Sequence, residues 1–153
     1  MKLTSLIFQH QGDIPAKYTC QGKNINPPLL ISDVPATAQS LVLIMDDPDI
    51  PQFVREKFKI TVWDHWVVFN IPPSAREIKE DSLPGIVGKG TRGMNSYSGP
   101  CPPDGEHRYF FKLYALDTIL PLQEGATKAD VEKAMLGHVL EKTELIGKYK
   151  KRE

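Results

Sequence analysis

Three short polar clusters hold residue types suited to acid–base chemistry or anion binding. Asp47-Pro48-Asp49-Ile50-Pro51 follows an apolar run that ends at Met45. Trp63-Asp64-His65-Trp66 opens a second apolar run, and His107-Arg108-Tyr109 leads into a third. Side chains alternate along extended backbone, so Asp47 and Asp49 are expected on one face. By the same rule Trp63 and His65 share a face, and Asp64 and Trp66 take the other. His107 and Tyr109 pair likewise, with Arg108 directed away toward a structural salt bridge. Each cluster taken singly has a plainer reading: a solvated strand end, a core Trp beside a hydrogen-bonded His, a proline-rich turn with an exposed His. Together they hold His and Tyr donors for an anion, with a carboxylate to orient a histidine. A nearby carboxylate also favours charged His and moves its titration toward or above neutral pH.

The elements that must position these clusters are strands. Leu41–Met45 is a continuous apolar run of the kind buried on both faces of a sheet. Trp66–Ile71 is a second, stopped by Pro72-Pro73, and Tyr109–Leu116 a third, rich in aromatics. One cluster follows its strand and two precede theirs. If these neighbours run antiparallel, all three clusters meet at one sheet edge. Leu3, Leu6 and Phe8 suit an opening strand, and Leu29–Ile31 a short one. Residues 46–62 form a long link with a helical turn near Arg55–Phe58. Residues 74–108 hold six glycines and four prolines, which excludes a regular helix there. An irregular stretch that long tends to be functional. Thr127 and Asp130 resemble a capping box for one late helix, with Val131, Met135, Val139 and Ile146 near one face and Gly147 as its stop. Tyr149–Glu153 reads as a charged tail. The expectation is one mainly β domain, 1–153, with a C-terminal helix.

Composition narrows the function classes. Lys plus Arg is 19 and Asp plus Glu is 19, for a formal net charge of zero. That balance argues against a dedicated nucleic-acid binder and against an electrostatically held membrane-surface protein. No stretch approaches a membrane span, and the N-terminal residues lack a signal-peptide pattern, so the expected compartment is the cytoplasm. Cys20 and Cys101 stand 81 positions apart with no Cys-x-x-Cys or Cys/His cluster, which leaves zinc without a case. In a reducing compartment free buried thiols are expected, although a tertiary Cys20–Cys101 contact stays open. No cofactor or metal is expected. His10 and His138 are assigned structural or solvent-exposed roles. The 13 prolines and 11 glycines exceed average usage of about 12%. Prolines cluster at 47–51, 72–73 and 100–103, and two of these clusters border the polar groups.

The ordered set Lys17–Gly22, Asn26-Pro27-Pro28-Leu29, Asp47–Pro51, Trp63–Trp66, Gly99-Pro100-Cys101-Pro102-Pro103 and His107-Arg108-Tyr109 resembles the phosphatidylethanolamine-binding protein family, in its bacterial and archaeal, Raf-kinase-inhibitor-like branch. Gly137–Leu140 and Leu145–Tyr149 fit as well, so the resemblance spans nearly the whole chain. It implies a β-sandwich around a large antiparallel sheet with peripheral helices, and one small anion pocket at the surface. It implies that Asp47, His65, Pro100, His107 and Tyr109 line that pocket, supported by Asp49, Trp63, Gly99 and Cys101. The ligand would be a small anion, phosphate or a phosphoethanolamine-like headgroup. A signalling partner such as a kinase is a further implication, with a monomeric or homodimeric chain. Two departures stand out. Gly93–Ser98 is shorter than the family's usual glycine-rich segment, and Asp64 stands where many eukaryotic relatives carry another histidine.

A binding module without turnover is the expected function. Ser96 and Ser98 lack a Gly-x-Ser-x-Gly frame, and Cys101 has no adjacent base in sequence. The alternative is a phosphoester hydrolase that uses the same His and Asp residues for general acid–base work.

Overall fold

The computed structural model describes all 153 residues. In chain order the strands are β1 (Lys2–Thr4), β2 (Gly12–Asp13), β3 (Leu29–Ser32), β4 (Ser40–Asp47), β5 (Trp63–Ile71), β6 (Glu77–Ile78), β7 (Ile86–Val87), β8 (Glu106–Leu116) and β9 (Val139–Lys150). Two helices, α1 (Gln52–Phe58) and α2 (Lys128–Met135), join them. Six strands form one sheet in the order β2-β9-β8-β4-β5-β7, and β1-β3-β6 form a second. All pairings in the large sheet are antiparallel except β2 with β9.

The apolar run that marks β4 in the sequence becomes the sheet's central strand, buried at all eight residues. Its alternation divides the core. Leu41, Leu43 and Met45 face the small sheet and meet Leu3, Leu29, Ile31, Ile78, Phe111 and Leu113. Val42 and Ile44 face the other way, onto Val67, Phe69 and the α2 residues Val131 and Met135. The molecule is therefore a mainly β sandwich with a helix against its outer face. Asp46 belongs to that outer face and is 2% exposed. Lys112 and Lys128 reach it at 3.0 and 3.3 Å, and Lys128 also reaches Asp64 at 2.8 Å. Two cations thus neutralise carboxylates that lie opposite each other on β4 and β5.

The C-terminal helix is corrected. α2 begins where the capping box places it, with Thr127 and Asp130 bonding reciprocally, but it ends at Met135. Gly137, at φ +80°, takes the left-handed turn that closes it. Residues 139–150 are β9, which pairs with β8 along its length. Val139 and Ile146 are therefore strand residues, and Tyr149 is buried in the small-sheet core rather than part of a tail. Gly147 is no helix stop. A Cβ there would lie 2.5 Å from the Ile14 side chain, so the residue lets β9 approach the N-terminal segment closely. The opening strand is also shorter than expected, with Leu6 left 83% exposed.

The thiol expectation is corrected too: Cys20 and Cys101 form a disulfide. The pairing depends on tertiary folding of the proline-rich loop against residues 18–24, which spacing alone does not reveal.

Candidate functional site

The three polar clusters meet at one end of the large sheet. β4 ends there, and β5 and β8, antiparallel to it on either side, begin there. Alternation on β8 sends His107 and Tyr109 to the small-sheet face, and alternation on β4 sends Asp47 to the same face. His65 reaches it by a different device. Met45 lies opposite Trp66 and Asp46 opposite Asp64, so His65 is an extra residue in β5. Such a bulge re-aims side chains. Trp66 turns to the small-sheet core and packs edge-on against Tyr97, rather than sharing the Asp64 face as strict alternation predicts.

A cavity of about 570 Å³ opens at this point. Asp47, Trp63, His65, Gly99, Cys101 and Tyr109 line it. One side is apolar, formed by Ile50, Pro51, Val54, Phe58 and Trp63. Phe58 and Trp63 meet edge to face at 5.2 Å. Arg92 lies on the lining and is exposed. Pro100 and His107, expected in the lining, are buried just behind it. Asp49 is displaced further. Asp47 turns back to accept the Asp49 backbone N–H at 2.7 Å, while the Asp49 carboxylate takes Arg108 through both its backbone and its guanidinium at 2.8–2.9 Å. The two aspartates therefore serve opposite faces. Arg108 has the structural ion pair expected of it, and its charge holds the Asp49 carboxyl below the usual range.

The wall opposite the sheet is the segment 97–103. Tyr97 donates its hydroxyl to the Tyr18 carbonyl at 2.8 Å, Gly99 donates its N–H to Asn24 Oδ1 at 2.7 Å, and Cys20 donates its N–H to the Pro100 carbonyl at 3.1 Å. Gly99 is required by contact, because a Cβ would lie 2.3 Å from the Tyr18 carbonyl oxygen. The disulfide adds a covalent tie to these bonds. Asn24 and Tyr18 belong to a segment that sequence reasoning did not place at the site. Its Lys17–Gly22 motif was the only signal for it.

The two histidines differ in charge. His107 Nδ1 lies 2.7 Å from Asp47 Oδ2, and its Nε2 lies 2.9 Å from Asp104 Oδ1. Ionised carboxylates can only accept, so the ring donates from both nitrogens as an imidazolium. Burial opposes that charge, but the two carboxylates prevail and raise its pKa. Burial also raises Asp47, against the pull of His107. His65 goes the other way. Its burial dominates and lowers its pKa to about 4. Its Nδ1 lies 2.6 Å from the Ser98 carbonyl oxygen, which fixes the neutral tautomer with the proton on Nδ1. The Tyr109 phenol, raised chiefly by burial, stays protonated, and its hydroxyl is buried without a hydrogen-bond partner. The site thus offers a neutral imidazole, a carboxylate paired to an imidazolium, and one unused hydroxyl. His10 and His138 lie elsewhere, bonded to Ile146 N–H and Asp117 respectively.

Comparison with known proteins gives one consistent result. The protein-family model for phosphatidylethanolamine-binding protein matches residues 4–150. A UPF0098 protein of Methanothermobacter thermautotrophicus is 49% identical, over 99% of each chain. One from Chlamydia muridarum is 47% identical, over 97% of this chain and 98% of its own. Among solved structures, the phosphatidylethanolamine-binding protein homologue CT736 of Chlamydia trachomatis superposes with a TM-score of 0.93 at 46% identity, covering 98% of this chain and 97% of its own. E. coli YbcL, described as a member of the mammalian family, superposes at 0.86 with 26% identity, covering 99% of this chain and 98% of its own.

Proposed function

The chain belongs to the phosphatidylethanolamine-binding protein family, and we propose that its cavity binds a small phosphate-type anion or phosphorylated headgroup without turning it over. One observation carries this reading: the buried Tyr109 hydroxyl, at the cavity lining, has no partner inside the protein. Buried polar groups are almost always satisfied, so an unused donor at a cavity points to a ligand acceptor. The volume exceeds what a bare ion needs and falls in the range of small-molecule pockets. The apolar wall of Val54, Phe58 and Trp63 would carry the rest of such a ligand. The binding role, rather than hydrolysis, is supported by the disulfide, which occupies both thiols on this rim, Cys20 and Cys101. A signalling partner of the kind the family label implies would use the cavity mouth, where Phe58 is 46% exposed.

The test is a titration of phosphate and phosphoethanolamine followed by amide and imidazole resonances. Shifts are expected at His65, Tyr109 and Gly99–Pro103, with loss of binding in Tyr109→Phe. Shifts that avoid these residues would overturn the reading, and turnover of phosphoesters abolished by His65→Ala would replace it with the hydrolase.

A further inference from the structure

β9 has a strand on both sides only near its end. β8 pairs with it from Val139 to Lys150, while β2 on its other side meets only Gly147 and Lys148. Residues 139–145 are therefore an open edge of the large sheet. The N-terminal segment shows which backbone groups face that edge. Gln11 donates its N–H to the Ile146 carbonyl at 2.6 Å, Ile146 donates its N–H to His10 Nδ1 at 3.1 Å, and Ile14 donates its N–H to the Lys148 carbonyl at 2.8 Å. Even-numbered residues of β9 thus aim both groups away from β8. By the same alternation Lys142 and Glu144 present theirs to the open side. Their side chains are exposed. The charges beside them are committed elsewhere: Glu141 holds the N-terminal ammonium group, and Lys112, opposite Glu144 on β8, holds Asp46.

An unpaired edge is a template for another strand, and a row of like charges is a common guard against one. This edge instead alternates in sign, so it can match itself. Antiparallel copies related by a two-fold axis must pair residues that share a face. Centred on Thr143, that rule sets Lys142 of each copy opposite Glu144 of the other. Each such pair can exchange two backbone hydrogen bonds and oppose unlike charges. Centred on Lys142 it would set Lys against Lys. Centred on Glu144 it would set Glu against Glu and run into His10 and Gln11. Leu136, Val139 and Leu140, exposed by 76%, 43% and 41%, precede this stretch and would add apolar contact at each end. We propose that residues 141–145 of β9 join a second copy of this chain edge to edge, antiparallel about Thr143, and continue the large sheet across a two-fold axis. The joint uses no residue of the cavity lining, so it stands or falls apart from the anion site.

Sedimentation velocity of the whole chain from about 10 μM to about 1 mM should show a weak, reversible dimer, because one strand pair buries less than the roughly 1,200 Å² of stable interfaces. Amide hydrogen exchange at Lys142 and Glu144 should slow as concentration rises. Lys142→Glu alone and Glu144→Lys alone each make both cross-strand pairs like-charged, and each should weaken self-association at least about tenfold. Mixed together, the two single variants are complementary and should associate again, as should the double variant Lys142→Glu/Glu144→Lys with itself. A parent chain still monomeric at about 1 mM would overturn the proposal and leave the charges as a guard on the edge. So would a dimer in which the Lys142 and Glu144 amides exchange as in the monomer, which would place the contact on another surface. Single variants that fail to associate when mixed would overturn the register about Thr143.

Discussion

His65 and His107 flank the end of β4 on neighbouring strands, and their surroundings drive them to opposite charge states. His107 has a carboxylate on each ring nitrogen, and His65 has a carbonyl on one and no protein partner on the other. The sequence predicted that nearby aspartates would raise histidine titration. That holds for His107 but not for His65, where burial outweighs the Ser98 carbonyl and the pull of Asp46. Which histidine a carboxylate serves is decided by rotamers and by the bulge, and neither is written in residue spacing. The two states act in different pH windows. His107 titrates above its unfolded value, so its contribution is present below about pH 6.5 and is lost as pH rises through its folded value. His65 titrates below its unfolded value, so the unfolded chain binds the extra proton first and stability falls as pH drops from 6.5 toward about 4. That window corresponds to about 3 kcal/mol for one fully buried group. Urea titrations across it should show a smaller acid loss in His65→Gln than in the parent. Equal slopes would mean that His65 carries its proton in the folded chain.

Among the elements, β4, β5 and β8 were legible because each buries an unbroken apolar run, and so was the start of α2, because its capping box is local. β9 was not. Its first half is exposed and charged, and only Leu145, Gly147 and Tyr149 point inward, so its inward alternation covers only the last turns of the pattern. Meanwhile Val131, Met135 and Val139 imitate a helical stripe across the Gly137 turn. Strand pairing with β8, a long-range fact, overrides that local period. The site wall was half legible. Its prolines and Gly99 announced a shaped loop, but its covalent partner lay 81 positions away. The disulfide closes a loop for which the chain-entropy argument gives about 4 kcal/mol. The double variant Cys20→Ser/Cys101→Ser is expected to lose stability on that scale in urea titration. The oxidised parent should show no reactive thiol when unfolded without reductant. Two reactive thiols there, or a double variant as stable as the parent, would remove the disulfide from the account of the wall.

At the scale of the whole molecule, the sandwich places its polar chemistry where three antiparallel strands share an end, and leaves its net charge at zero. That meeting of strand ends was legible in the sequence, because it needs only the order of the runs and the assumption that neighbours run antiparallel. The charge arithmetic has a measurable consequence. Arg92 is the only Lys or Arg on the cavity lining, and the buried carboxylate there is already matched by His107. Lys57 lies nearby, 5.4 Å over the Phe58 ring, but no second cation lines the cavity itself. Attraction must then come from contacts within hydrogen-bond reach, far inside the screening length of about 10 Å at 0.1 M salt. Raising NaCl from about 50 to about 200 mM should therefore weaken phosphate binding by less than about threefold, as expected when few charges act at short range. Calorimetry of phosphate binding across that range checks this. A loss of tenfold or more would place the anion on a diffuse cationic surface such as the Arg55 and Lys59 region beside α1, and would separate the binding site from the cavity.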